Sequence, residues 1–517
     1  MLFNFFSKEP ITPRQLLALV LPALLIGLAL RASLMWVLPE GYFGSDSNSY
    51  YDFSQKFFDH GRIHLSEKRR WLYPLFLAFA DGFPTPGWYL VPFFQHVIGL
   101  ITFLGIGWST AELVERKRLI VPLVTVLAAC WPRTIWYEHE FIAESLLLAA
   151  FVAVIALLLT PKIVESRLGF PLLMLAFVLL AGMKGSGRFL WIGSVFGLFL
   201  LYRDPRKWMW NKFSIALAGL SLLLVSTVGR SSQGDWLALS SSLPLVRTEG
   251  EPYSSYRSIL KGQILEARTY GNDYPWVMKD YKKRLNRKAP ESFHPEWGLL
   301  YKNKRKFSKI ARTFWLEAIL VQPLRFFSMT VKTIGIALSE DSLTSRFAPS
   351  KFWVDMDQSV SSRWRRSPRY FDRLFGLNLS TYELRREQGA NATYPFIPVL
   401  EFVSRHFSWL DRGPARVEGP IGPGGQGPFP SFSPRPLGVM ALAGSVLGAT
   451  ISKRRQQCIV LLLPLLLYLF GTFAVGDAVP RYLQPVEWIG FVFAGACIDF
   501  LFRFADLFGG RQGKSFS

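Results

Sequence analysis

The stretch QLLALVLPALLIGLALRASLMWVL, Gln15–Leu38, decides the fold class. It is an apolar run of the length that crosses a bilayer core, and it is too long for the apolar core of a signal peptide. No clear small-residue cleavage site accompanies it, so it reads as a retained first span. Directly behind it comes YFGSDSNSYYDFSQKFFDHG, Tyr42–Gly61, which is acidic, aromatic and rich in small polar side chains. Asp46 sits among residues that would hold it near the membrane surface. It is either a catalytic carboxylate or an ordinary loop acid capping a helix, since Ser and Asn follow it.

Working outward, the same kind of apolar run recurs at 88–112, 119–136, 141–160, 168–184, 187–202, 213–230, 437–451, 458–475 and 485–502. The expectation is an all-α polytopic membrane protein with about ten spans, or twelve if two amphipathic segments also cross. Half of the 517 residues are hydrophobic and only 19% are charged, and mean hydropathy is +0.22. A shorter apolar piece, WLYPLFLAFA at 71–80, is too short to cross and is expected at the interface. The two amphipathic segments, 323–338 with Lys332 and 395–410 with Glu401, Arg405 and His406, are also expected there.

The chain then divides into an N-terminal core, 1–230, whose first external loop is 39–87; a polar, aromatic and basic region, 231–436; and C-terminal spans, 437–517. The middle region closes with the Gly/Pro-rich connector Glu418–Pro436. Basic loops at Glu115–Arg118, Arg203–Lys212 and Ser452–Gln457 alternate with YEHE, Tyr137–Glu140, which has no Lys or Arg. That asymmetry places both termini in the cytoplasm, and Asp46, the turn near Glu144 and region 231–436 outside. A bacterial inner membrane is the expected location. The net charge of +22 comes partly from these topology-setting loops; no nucleic-acid motif accompanies it. Cys130, Cys458 and Cys497 all fall in apolar runs and suggest neither disulfides nor a metal site.

Four features near the external face carry candidate chemistry: Asp46; EHEFIAES with Glu138, His139, Glu140 and Glu144; MKGSGRF with Lys184 and Arg188; and GDAVPRYLQP with Asp477, Arg481 and Tyr482. Ionisable groups at membrane depth are costly unless paired or facing water. Each also has a plain structural reading: Glu144 as the partner of a cation such as Arg133, Lys184 and Arg188 as snorkelling anchors, His96 as a packed ring. Together they offer an acid able to act as base, a second acid at membrane depth, and three cations, Lys184, Arg188 and Arg481, suited to a phosphate. A phosphate at the bilayer surface beside a carboxylate suggests a lipid-phosphate donor.

The segment SDSNSYYDFSQKFFDHGRI…RRWLYPLFLAF resembles the first external loop of the GT-C glycosyltransferases, in the protein-mannosyltransferase and aminoarabinose-transferase-like branch. The corresponding positions are Asp46, Tyr50 or Tyr51, Gly61, Arg70 and Tyr73-Pro74. Glu144 stands where that family has its second acidic motif, Arg481-Tyr482 where it has a C-terminal Arg-Tyr pair, and Gln322–Lys332 is similar to its pre-membrane helix. One departure is that Ser47 follows Asp46 where many relatives have a second acid, which speaks against a metal. The resemblance implies an inverting transfer of a sugar from a polyprenyl-phosphate donor to an external acceptor; no cofactor is expected, a divalent metal being an unsupported alternative. Asp46 would be the base, with Glu144, Lys184, Arg188, Arg481, Tyr482, Tyr50, Arg70 and His139 around the substrates. Competing readings are a flippase for lipid-linked glycans and a polysaccharide polymerase or ligase, for which the Arg-rich segment 361–373 is suited.

Overall fold

A computed structural model describes residues 11–44, 46–60, 69–83, 87–166, 168–202, 212–226, 238–239, 242–270, 304–339, 386–387, 393–407, 436–450, 452, 454–474 and 482–512. Among these the chain is helical; the only extended pairing is a single parallel bridge between Tyr42 and Glu140. Four helices are long and apolar enough to cross a membrane: α1 (Pro13–Val37), α4 (Gly87–Leu113), α17 (Arg455–Phe473) and α18 (Gln484–Gln512). Six shorter apolar helices accompany them: α3 (Leu72–Asp81), α7 (Glu144–Leu158), α9 (Gly169–Met183), α10 (Gly187–Leu201), α11 (Lys212–Ser226) and α16 (Pro436–Thr450).

Helix starts follow local chemistry. Thr12 caps α1 through Gln15 N, the Gln15 amide oxygen returns to Thr12 N at 3.0 Å, and Pro13 opens the first turn. The expected third span, 119–136, is not one rod. It is α5 (Lys117–Ala129) followed by α6 (Pro132–His139), bent by 48°. Pro132 forces this: the residue before a proline is pushed out of the helical region, and Trp131 lies at ψ 117.

In the bundle α1 packs on α4 and α5, α7 on α4 and α9, α10 on α17, and α16 on α18. The C-terminal helices therefore close back on the N-terminal ones rather than forming a separate body. At the α16–α18 crossing Gly444 lets the backbones touch; a Cβ there would stand 1.9 Å from the Phe493 carbonyl oxygen.

The joint between α1, α4 and α6 is ionic. Arg31 and Glu138 are 1% and 0% exposed, with Nε–Oε2 at 2.6 Å and Nη2–Oε1 at 2.9 Å. The remaining Arg31 nitrogen donates to the carbonyls of Gly27 and Ala129, both at 3.2 Å. His96 Nδ1 reaches Glu138 Oε2 at 3.0 Å, and His96 Nε2 faces His139 Nδ1 at 3.1 Å. Gly99 makes the room, since a Cβ there would lie 2.1 Å from Glu138 Oε1. In YEHE, expected as a loop on the external face, Glu138, His139 and Glu140 are all buried. Charges removed from water need this density of partners to be tolerated.

The middle region adds α12 (Ser254–Tyr270), α13 (Lys304–Val321), α14 (Pro323–Ser339) and α15 (Ile397–Phe407). A small apolar cluster including Leu243, Leu260, Ile264, Phe307 and Phe314 joins α12 to α13. Arg257 and Glu317 pair beside it. α14 lies against α17, and Trp315 Nε1 donates to the Ala474 carbonyl at 3.3 Å, which ties α13 to the end of α17. Segment 361–373 and the Gly/Pro-rich connector lie outside the described residues.

Glu138→Gln should destabilise the protein by about 3–5 kcal/mol, because Arg31 is left buried without a counter-charge. Thermal unfolding of the purified protein in detergent, read beside wild type, checks this; an unchanged midpoint contradicts the assignment of this pair as the joint.

Candidate active site

Asp46 is delivered by a loop stitched to its surroundings through main-chain bonds. Gly41 N donates to the Trp88 carbonyl at 3.0 Å, and Trp88 Nε1 returns to the Gly41 carbonyl at 2.8 Å. Tyr42 N donates to the His139 carbonyl at 2.7 Å, and Phe141 N to the Tyr42 carbonyl at 3.0 Å. Helix α2 (Ser47–His60) then starts, with Asp46 at its head accepting Ser49 N at 3.0 Å through its carbonyl.

The Asp46 carboxylate does not stand alone. Arg69 Nη2 lies 2.8 Å from its Oδ1, Arg69 Nε donates to Ser49 Oγ at 2.6 Å, and the guanidinium sits 4.3 Å above the Tyr50 ring. Asp46 keeps 29% of its side chain exposed and Arg69 18%, so the pair faces a wet opening. Burial pulls the Arg69 guanidinium down, but Tyr50, Asp46 and Glu144 outweigh it and hold it above its ordinary range. Sequence reasoning missed Arg69 and picked its neighbour Arg70, although a cation beside an acid-rich loop was there to be read.

Behind this pair runs a neutral scaffold. Tyr50 meets Tyr73 edge-on at 4.9 Å, and the Tyr73 hydroxyl donates to Gln95 Oε1 at 3.0 Å. Gln95 Nε2 donates to the carbonyls of Glu138 and Glu140, at 2.9 and 2.8 Å. Ser145 Oγ donates to Gln95 Oε1 at 3.1 Å. One buried amide therefore joins the wall of the Asp46 loop, the short helix α3 and the start of α7.

The second acid, Glu144, opens α7 and is 1% exposed. Its partner is Lys184, with Nζ–Oε1 at 2.5 Å, and Lys184 also lies 4.5 Å over the Tyr482 ring. Arg133, expected as a candidate partner of Glu144, instead pairs with Glu487 at 2.5 Å. α6 carries Arg133 away across the bend at Pro132, and Trp131 Nε1 donates to the same Glu487 carboxylate at 2.8 Å. Lys184 is consequently half of an ion pair and not a spare cation.

Arg70 and Arg188 carry the positive charge that remains. Arg70 Nη1 donates to the Leu224 carbonyl at 2.5 Å, at the C-terminal end of α11. Trp71 and Trp191 pack in one apolar cluster with Leu224, which brings the two arginines together. Burial lowers Arg70 first, and Arg188 beside it lowers it further.

An apolar groove of about 610 Å³ adjoins this polar cluster. Its walls include Leu72, Phe76 and Phe79 of α3, Ile98 of α4, Leu146 of α7, and Leu179 and Met183 of α9. Met183 immediately precedes Lys184, Leu146 lies two residues after Glu144, and Leu72 two after Arg70. Three of the four walls thus end beside a charged residue of the site.

The structure brings Asp46, Tyr50, Arg70, Glu144, Lys184, Arg188 and Tyr482 to one end of the bundle. His139 is elsewhere: fully buried beside His96 and behind the Asp46 loop, where it packs the interior rather than facing substrate. Arg481 and Asp477 lie outside the described residues. Among the described residues no group of His, Cys, Asp and Glu could hold a metal ion.

No known family profile and no curated protein matches the chain. Two solved GT-C glycosyltransferases resemble it in structure. One is the archaeal oligosaccharyltransferase AglB from Archaeoglobus fulgidus in complex with an inhibitory peptide and a dolichol-phosphate, at 11% identity and TM-score 0.41, over 97% of this chain and 52% of that one. The other is ArnT from Cupriavidus metallidurans bound to undecaprenyl phosphate, at 14% identity and TM-score 0.31, over 76% and 75%. The chain spans about half the length of AglB. These likenesses are distant.

Proposed function

We propose that the chain is a glycosyltransferase that moves a sugar from a polyprenyl-phosphate donor to an acceptor hydroxyl. The observation that carries this reading is the junction of an apolar groove with two ion pairs and an arginine pair. A lipid phosphate has that shape: a long apolar chain ending in a small anion. The groove takes the prenyl chain, whose burial contributes about 25 cal/mol per Å² of apolar surface. Arg70 and Arg188 take the phosphate, with Arg70 one residue from the Asp46 partner Arg69.

Asp46 takes the proton from the acceptor hydroxyl as its oxygen attacks the anomeric carbon. The bond from that carbon to the phosphate oxygen breaks, its electron pair stays on the phosphate, and the sugar configuration inverts. Arg69 pairs with Asp46 and aims it; the hydrogen bond to Ser49 and the stacking on Tyr50 fix the guanidinium in turn. Lys184 is held by Glu144 and positioned against Tyr482, so this pair orients substrate rather than neutralising phosphate. The site is assigned to the external face from the loop charges of the sequence. The sugar and the acceptor are open to assay.

Asp46→Asn should lower transfer by roughly 10²–10⁴-fold, the usual worth of a general base, with donor binding retained. Turnover of prenyl-phosphate sugars by purified protein measures this, and undiminished transfer removes Asp46 from the mechanism. Arg69→Met should cut the rate without unfolding the chain, whereas Arg69→Lys should recover part of it; equal rates for both variants would contradict the orienting role. Leu179→Trp, which fills the groove, should weaken binding of undecaprenyl phosphate while leaving Asp46 and Arg69 in place. Unchanged affinity in that variant would locate the prenyl chain elsewhere.

A further inference from the structure

We propose that the elbow between α13 and α14 is a membrane-surface anchor: its exposed leucines enter the leaflet at the external end of α17, and Lys309 and Arg325 beside them take anionic phospholipid headgroups. This does not depend on the glycosyltransferase reading.

Depth is set by α17. Its 19 residues rise about 28 Å at 1.5 Å per residue, close to the thickness of a hydrocarbon core. One end follows the basic loop Ser452–Gln457, so Phe470 and Ala474 lie at the opposite boundary. Both helices of the elbow meet α17 there. Trp315 of α13 donates to the Ala474 carbonyl at 3.3 Å. Phe327 of α14 stacks on Phe470 at 5.0 Å, and Ile334 packs against the pair of Phe473 and Leu483. From Phe327 to Ile334 the helix advances about 10 Å along its axis. Its contacts nevertheless stay on the last turn of α17 or on Leu483. α14 therefore lies across the end of α17, in the plane of the interface, and does not run down it as a further span.

The outward faces of the elbow are apolar. On α13 Leu316 and Leu320 are exposed; on α14 so are Leu324, Phe327 and Val331, spaced as one helical stripe. The two leucines flanking the turn are the most open of these, Leu320 at 77% and Leu324 at 84%. On α17 Leu466, one turn before Phe470 on the same face, is exposed as well. An apolar patch of this extent marks an interaction surface, and this one continues onto a helix that crosses the bilayer. Acyl chains are the occupant that covers both.

Charge selects the headgroup. α13 has five Lys or Arg and α14 two, against one acid, Glu317, which faces Arg257. Lys309 is exposed and stands two turns before Leu316 on the stripe that continues to Leu320, so α13 passes from cationic to apolar along one face. Arg325 is exposed beside Leu324. A helix descending into an interface has this order, with long cationic side chains at the headgroups and leucines below them. The anchor also reaches the candidate site through one side chain: Phe473 meets Tyr482 edge-on at 6.4 Å, and Lys184 lies over that ring.

The test places a bimane fluorophore on Leu320→Cys and, separately, on Leu324→Cys, in the full chain in nanodiscs. The native cysteines Cys130, Cys458 and Cys497 are buried, and wild type treated alike sets the background. Two quenchers are compared: a phospholipid carrying a nitroxide on its acyl chain, and iodide in the water. Both labels should be quenched by the lipid nitroxide and shielded from iodide. Quenching by iodide alone overturns the anchor. Shielding from both quenchers overturns it too, since a protein surface then covers the elbow. The headgroup is read by giving the nitroxide lipid either a phosphatidylglycerol or a phosphatidylcholine headgroup, at equal mole fraction in otherwise neutral discs. The anionic form should quench about threefold or more strongly, and Lys309→Glu combined with Arg325→Glu should bring the two forms level. Equal quenching by the two forms before those substitutions overturns the anionic assignment. A preference that survives both substitutions removes Lys309 and Arg325 from the surface and overturns the proposal as stated.

Discussion

The carboxylate of Glu138 against the guanidinium of Arg31 is the contact on which the rest of the architecture depends. It lies where neither charge can reach water, and it joins the first long helix to the short helix after the Pro132 bend. Its geometry is bidentate, and its spare hydrogen-bonding capacity is taken up by two carbonyls and His96. A pair this isolated adds little to stability compared with apolar packing of the same volume. Its strength is negative: any arrangement that separates the two halves leaves a bare charge in hydrocarbon. The bundle is thereby restricted to one register of α1 against α6.

That register sets the active end. Glu138 and Glu140 present their carbonyls to Gln95, and His139 presents its carbonyl to Tyr42. The loop bearing Asp46 is thus laid against a strip of backbone whose position is fixed by the ion pair beneath it. Asp46 and Arg69 stay partly exposed, and the elements that hold them are buried. This separation of roles is how a site can stay open to a substrate without losing its geometry.

Much of this was legible in the sequence, and what was not has definite causes. The apolar runs mark the helices because a bilayer core imposes their length and composition. Asp46, Glu144, Lys184 and Arg188 announce themselves as charges at the ends of those runs. The bend at Pro132 could have been read from the proline itself. Pairing could not be. Nothing local distinguishes Lys184 from Arg133 as the companion of Glu144; that choice follows from where α6 points after the bend. Arg31 sits in plain view within the first apolar run, and its mid-span charge is a signal that a buried partner exists. Reading YEHE as an external loop hid that partner. Arg69 was masked by Arg70.

The groove beside the site has walls on several helices but an unsealed flank: Phe79, one of its lining residues, is 59% exposed. In a bilayer that flank borders acyl chains. On the proposed reading, a groove open along that flank would hold the first isoprene units next to the phosphate and leave the rest of the chain among the lipids, so that carrier length would not be measured there.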